Sequence, residues 1–448
     1  MRNPAAFIIT PVSDQVLFIF TPILVFGVFV IAWLAGAGLE AAFVAATVGA
    51  AGHHLPGMMR AYADKELFSQ FRRRFIAAPV ILVTVCSFAM YFQIAAVNAV
   101  MLIWGFWHGL AQIYGFARIY DRKAQTPMSI SGRADLILLI AWFAHGVIAS
   151  DNRMAELAAL FVDSGFGFPT SSALAVTARI WLSGSVLYTL WYVFRLARLR
   201  QSGFHVSSNK LLILALSLVY WNVVMIAVPI TIVSIAMFEL FHDVQYLAIV
   251  WSFNRNRKDR GALNHGFARL FYNTGTTGLG LYLLTVLIYG SFALGQYWHP
   301  DASVRNAAIV FFTVSTLLHF YYDGFIWKLR QPSISGTLNA GRDPYNPAGS
   351  TVPAHAGKWA ILIIVLVILA WLQQTDVRTA LERSRMVREA VPASFQANKR
   401  LAVELEKSGD AAGALSAYRA TQNINPSDPE VQAALIRLSS DVPFEIIE

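Results

Sequence analysis

Apolar runs of about the length a membrane demands follow one another through most of this chain, each closed by a short polar stretch. Crossing the hydrocarbon core takes roughly 20 apolar residues in a helix. About eleven runs qualify, near 15–37, 38–60, 76–97, 98–119, 134–150, 175–197, 211–232, 234–254, 278–297, 306–328 and 358–374. The second is rich in Ala and Gly, and the fifth is short. The first is too long for a cleavable signal peptide and lacks its basic start, so it reads as the first span.

The polar stretches alternate in charge. Basic residues gather after the second run (Arg60, Lys65, Arg72, Arg73, Arg74) and the fourth (Arg118, Arg122, Lys123). They gather again after the sixth (Arg195, Arg198, Arg200), the eighth (Arg255, Arg257, Lys258, Arg260) and the tenth (Lys328, Arg330). The opposite loops hold little besides Arg153, Arg179 and Arg305. Short loops rich in Lys and Arg stay cytoplasmic. With an odd number of spans the N-terminus is then cytoplasmic and the C-terminal tail periplasmic, in a bacterial inner membrane.

Composition agrees with this pattern. Of 448 residues, 56% are hydrophobic and only 14% charged, which places the chain in the membrane class. A net charge of +9 would suit nucleic acid, but the charges sit between apolar runs, so the bilayer is the expected partner and nucleic acid is not. The single cysteine, Cys86, lies inside an apolar run. That excludes a disulfide framework and a Cys-based metal site.

The segment 331–357 is rich in Gly, Pro, Ser and Asn and reads as a cytoplasmic loop. Beyond Gln374 the chain turns polar, charged and helical. Leu401, Gly409, Asp410, Ala414, Tyr418 and Pro426 fall at the offsets of one tetratricopeptide repeat, over about 395–428. The tail resembles that repeat, and the resemblance implies contact with a protein partner. The expected fold is all-α: a polytopic membrane helix bundle over 1–374 and a small helical-repeat tail over 375–448.

Ten histidines complete the picture. His205, His265 and His355 fall in expected loops and His299 at a span end, so these should face solvent. His53, His54, His108, His145, His242 and His319 lie within apolar spans, where ionisable residues are costly and face a bundle interior or a cavity. His145 is on an odd-numbered span, near the other side, and reads as a packing residue. The other five lie on even-numbered spans, upstream of each basic cluster. At ~1.5 Å per residue they stand on the order of 9 to 20 Å above those clusters, so four helices can hold imidazoles at one level.

Polar neighbours share their helix faces. His108 and Gln112 are four apart, as are His319 and Asp323, while His242 and Gln245 are three apart. Asp243 adjoins His242 and can orient a neighbouring group. Imidazoles and carboxylates on several facing helices are how bundle cores hold transition metals. His54, His108, His242, His319 and Asp323 are the expected primary ligands, with Gln112, Gln245, Asp243 and His53 secondary. His108 and Asp243 are the candidate catalytic pair. The sixth span has no His and is expected to serve as scaffold or as wall of a substrate cavity.

The pattern resembles the membrane histidine-motif di-iron oxygenases, the desaturases and hydroxylases, and His53-His54 is similar to their paired His motif. That resemblance implies an oxidoreductase acting on a lipid or other apolar substrate, with iron as cofactor. Haem held by two axial His is a variant, and zinc or copper are further candidates. Phe106-Trp107-His108-Gly109 resembles the signature of membrane-bound O-acyltransferases, which implies His108 as base in acyl transfer. Two readings without catalysis remain: a metal or proton transporter, and a membrane subunit of a larger complex. Against transport, broken helices and inverted repeats are not evident, apart from the interruption at Pro56-Gly57.

Overall fold

Where backbone cannot bond to water, a chain satisfies its N–H and C=O groups locally, and the helix does so residue by residue. The computed structural model describes residues 7–126, 128–261, 271–272, 275–329, 332–338, 352–426 and 428–441. Among these there are helices and no strands. The principal helices are α1 (Thr21–Leu34), α2 (Gly38–Val44), α3 (His54–Ala63), α4 (Lys65–Tyr91), α5 (Ala96–Lys123) and α6 (Met128–Ile148). Next come α7 (Asp151–Asp163), α8 (Ser171–Gln201), α9 (Ser208–Ala227), α10 (Thr231–Asp259), α11 (Gly275–Ser291) and α12 (Ala302–Ile326). The last are α13 (Val352–Thr375), α14 (Ala380–Ala390), α15 (Phe395–Lys407), α16 (Ala411–Ile424) and α17 (Pro429–Asp441).

Eight of the described helices are long and apolar enough to cross a membrane, or up to ten if two bent pairs each count as one. One pair bends by 59° at Phe20, the other by 119° after Thr375. The apolar run 38–60 is not a continuous helix. It is built from α2, a π turn at Ala45–Gly49, a single turn at Ala50–Gly52 and then α3. Pro56 lacks the N–H a continuous helix would use, and its ring crowds the carbonyl four residues back. Part of the glycine-rich segment 331–357 is helical, at Pro332–Thr337 and from Val352 onward. His355 therefore lies in α13, not in a loop, whereas His265 lies outside the described residues.

The helices form two compact units: Met1–Gln93, Met101–Phe143 and Ser185–Gly349 make one, and Ile94–Val100, Ala144–Gly184 and Ser350–Glu448 the other. In the first, the broken segment 38–63 packs against α10, α11 and α12. Glycine makes the approach to α11 possible. A Cβ on Gly52 would stand 2.6 Å from the Val286 carbonyl oxygen, and one on Gly290 would overlap that of Val48. Small residues at membrane helix crossings let backbones touch in this way. The sixth expected span, α8, buries only Ser185 and Tyr192; its long aromatic and branched side chains are largely exposed, which suits the scaffold role.

The first unit also buries an ionic knot at its basic end. Arg118 pairs with Asp121 (2.7 Å) and with Asp135, and Lys210 pairs with Asp121 (3.0 Å) and Asp135 (3.2 Å). Tyr192 donates to Asp135 (2.6 Å) and Ser131 to Asp121 (2.6 Å). Arg118 is thus not a loop charge: it is buried, as are Lys210 and both aspartates. Two cations and two anions balance, and each added donor reduces the desolvation cost.

The second unit ties the tail helices to α7. Arg400 makes a two-pronged contact with Asp163 (2.9 and 2.6 Å), and Arg378 donates to the carbonyls of Phe166 (3.0 Å) and Val162 (3.3 Å). The tail helices thus share their compact unit with 144–184. A capping box of Thr379 and Glu382 starts α14. Phe395, Ala402, Leu405, Ala414 and Tyr418 fill the α15–α16 hairpin, and Gly409 turns it at φ +85°. Tyr418 donates to Glu406 (2.9 Å), and burial together with that carboxylate pushes its phenol up to about 12.

Removing one member of the ionic knot exposes its cost. Lys210→Met should lower stability in detergent by about 3 kcal/mol, because a buried carboxylate loses its partner. Adding Asp121→Asn restores the charge balance and should recover at least part of that loss. Denaturant titration of both variants reads this, and additive losses would sink the account.

Candidate metal centre

Each element that carries a histidine in the first unit brings a different constraint. Gly52 ends one turn, and His53 sits between helices with φ −66° and ψ −13°. The break lets adjacent His53 and His54 face the same interior. His108 lies on α5, His242 on α10 and His319 on α12. His53, His54, His242 and His319 are buried, and His108 is nearly so.

The rings converge. Centroid separations from His53 are 4.5 Å to His54, 5.0 Å to His242 and 4.7 Å to His319. His108 lies 4.9 Å from His242 and 4.6 Å from His319. His53 Nε2 stands 3.2 Å from His319 Nε2. Metal–nitrogen bonds of about 2.0–2.1 Å at tetrahedral angles set donor atoms about 3.3 Å apart, so this pair already has the spacing of two ligands on one ion.

Two sets of donors meet around His319. His53, His242 and His319 form one, and His108, His319 and Asp323 the other, each with its ligand atoms within 4.8 Å of one another. Asp323 Oδ2 lies 3.8 Å from His319 Nε2 and 4.0 Å from His108 Nε2. Its other oxygen accepts from Tyr246 OH (3.0 Å) and Trp327 Nε1 (3.1 Å), which fixes the carboxylate with Oδ2 turned to the imidazoles. Several buried atoms have no hydrogen-bond partner: His108 Nε2, His242 Nε2, His319 Nδ1 and Oδ2 of Asp243. Unpartnered buried polar atoms are costly, and a cation between lone pairs removes that cost.

Not every expected ligand points inward. Gln112 donates to the His242 carbonyl (3.1 Å) and to Gln245 Oε1 (3.1 Å). Gln245 donates to the Phe18 carbonyl (2.7 Å), at the end of a π turn. The two amides thus link α5 and α10 to the N-terminal segment, and Gln245 has both ends of its carboxamide engaged. His54 Nδ1 is held by Ser315 Oγ (2.9 Å) and its ring stacks on His319, so it lies beside the converging donors. Asp243 Oδ1 is 2.7 Å from His53 Nδ1. His205 and His299 are exposed, and His145 lies in the second unit.

Residues the sequence reading passed over support these groups, and all sit one turn from a residue it named. Tyr246 follows His242 by four, Trp327 follows Asp323 by four, and Ser315 precedes His319 by four. Glu239 precedes Asp243 by four and joins His53 and Asp243 in a third donor set within 4.8 Å. Arg60, expected at the basic surface, is buried with its guanidinium between Phe253 (4.3 Å) and Trp327 (4.0 Å).

No family model, no curated protein and no solved structure matches the chain. The centre is therefore read from its own geometry.

Gly57 is where α3 slides past this support. A Cβ there would stand 2.5 Å from Tyr246 OH and 3.6 Å from Asp323 Oδ1. Gly57→Ala should lower the thermal midpoint in detergent, and Gly57→Ala with Tyr246→Phe should recover part of it by removing the clashing oxygen. A midpoint unmoved by the single change would contradict the packing described.

Proposed function

We propose that the chain is a metal-dependent oxidoreductase of the bacterial inner membrane, acting on a lipid or other apolar substrate. The observation that carries this reading is the convergence of five imidazoles and a fixed carboxylate inside an apolar bundle. His53, His242, His319, His108 and Asp323 would hold the ion. A nitrogen-rich set with one carboxylate suits iron, zinc or copper; the resemblance to histidine-motif oxygenases favours iron, and a haem is the variant. Such an ion supplies electron transfer or activation of a bound small molecule. Asp243 orients His53, Ser315 orients His54, and Tyr246 with Trp327 orients Asp323, as outer partners do around metal ligands.

A groove of about 700 Å³ supports the apolar substrate. It lies between α4 and α12, with Val83, Met90, Val310, Phe311 and Val314 along it and Gln93 and Asn306 as polar members. Phe311, Ser315, His319 and Asp323 follow at four-residue steps on α12. Tyr289 packs on Phe311 (5.3 Å) and bonds Ser315 (2.9 Å). One end of the groove is thus joined by contacts to the histidines. An ion pathway would call for polar lining instead, which weighs against transport. For acyl transfer by His108, a base facing its substrate is needed; here His108 packs on Phe320 (4.6 Å) among other imidazoles.

The finer topology belongs to the same proposal. With both bent pairs and the broken segment crossing the bilayer, the spans number eleven. The basic loops then lie in the cytoplasm and the tail in the periplasm, where its hairpin acts as a tetratricopeptide-like contact for a protein partner.

Elemental analysis of the gently purified protein, with a visible spectrum, tests the reading. Expected is at least one first-row metal per chain, lost at least tenfold in a His108→Ala/His319→Ala variant that still elutes as the wild type does. Iron supports the oxygenase-like chemistry, and a Soret band moves it to haem. A metal-free protein sinks the proposal.

A further inference from the structure

His53 faces two ways. Its Nε2 is 3.2 Å from His319 Nε2, and its Nδ1 is 2.7 Å from Asp243 Oδ1. The second direction leads to a group the first set of ligands does not use. Glu239 and Asp243 are four apart on α10, so their carboxylates share one face of a membrane-buried helix. With His53 they bring three ligand atoms within 4.8 Å of one another.

Two acidic side chains at this depth repel and are expensive. Among the described residues Asp243 has no Lys or Arg partner; its ion-pair contact is with His53 alone. Asp243 is 3% exposed; its Oδ1 faces His53 Nδ1, and its Oδ2 has no hydrogen-bond partner. A Cβ on Gly49 would come 3.1 Å from Oδ2, so the second oxygen faces a backbone that has only hydrogen there. A carboxylate that merely oriented His53 would explain one contact. It would not explain the second, unpartnered oxygen, nor the approach of Glu239.

We propose that His53, Asp243 and Glu239 form a second cation position beside the histidine-rich one, His53 losing its ring proton to solvent as the second ion binds and, as imidazolate, giving Nε2 to the first ion and Nδ1 to the second. This rests on the metal reading of the centre. The donor set, one nitrogen with carboxylate oxygens, takes a divalent first-row ion such as Zn²⁺, Mn²⁺, Fe²⁺ or Co²⁺. Its positive charge would offset the buried Asp243 carboxylate and the half-buried Glu239 carboxylate. One ring holding both ions would make the two positions electronically coupled.

The test uses the full chain in detergent, stripped with chelator and titrated with Co²⁺. Wild type should take two equivalents, and Glu239→Gln one, with unchanged elution and helicity. One equivalent in both proteins overturns the second position and leaves the first standing. None in either overturns both, and two in both removes Glu239 from the site. A readout on the wild type alone covers a variant that fails to fold. The Co²⁺ paramagnetic signal should fall as the second equivalent binds, because ions sharing one ring couple. A signal that simply doubles overturns the proposal.

Discussion

An ionisable side chain cut off from water must find a partner or lose its charge, and that constraint organises this bundle. It acts at two places in the first unit with opposite outcomes. At Arg118, Asp121, Asp135 and Lys210 cations meet anions and every carboxylate is matched. Around His319 the charges are one-sided: imidazoles and carboxylates converge, and several of their atoms have no partner. The first arrangement balances its charges within the protein. The second leaves donor atoms converging on one another, and that contrast within one unit is what motivates the metal proposal.

The histidine level was legible because its signals were local. An imidazole in an apolar run, a second polar group one turn on and a basic cluster downstream are all read along one helix, and His53, His108, His242, His319 and Asp323 do meet. What failed were inferences about rotation. Gln112 and Gln245 share a face with their histidines by count, yet they turn to each other and to the Phe18 carbonyl, because a π turn far away in sequence ends there. Glu239 and Tyr246 were equally close by count. Only packing separates a donor aimed at the centre from one aimed at a neighbouring helix.

Span counting shows the same division. Hydropathy locates α4, α5 and α8 through α12 well, since each is one long apolar helix. It cannot register that 38–60 is broken, because an interruption by Gly and Pro changes geometry far more than mean polarity. Nor can it tell that α8 is peripheral or that Arg118 turns inward: both depend on which neighbours arrive. The tail was readable as a hairpin from Gly409, Ala414 and Tyr418. Its attachment to α7 through Arg400 and Asp163 joins residues over two hundred positions apart and leaves no local trace.

The π turn at Ala45–Gly49 gives the broken segment an unusual sensitivity. Such a turn holds about one residue more than an α turn, and each residue of a helix advances the face by ~100°. The turn thus sets the angular phase at which His53 and His54 emerge, as a spacer sets the phase of a gear. A chain shorter by one residue ahead of Ala50 would scarcely change in composition or mean hydropathy, yet would swing both rings away from His242 and His319. Along this stretch, selection should tolerate exchange of one small residue for another far more readily than a change in their number.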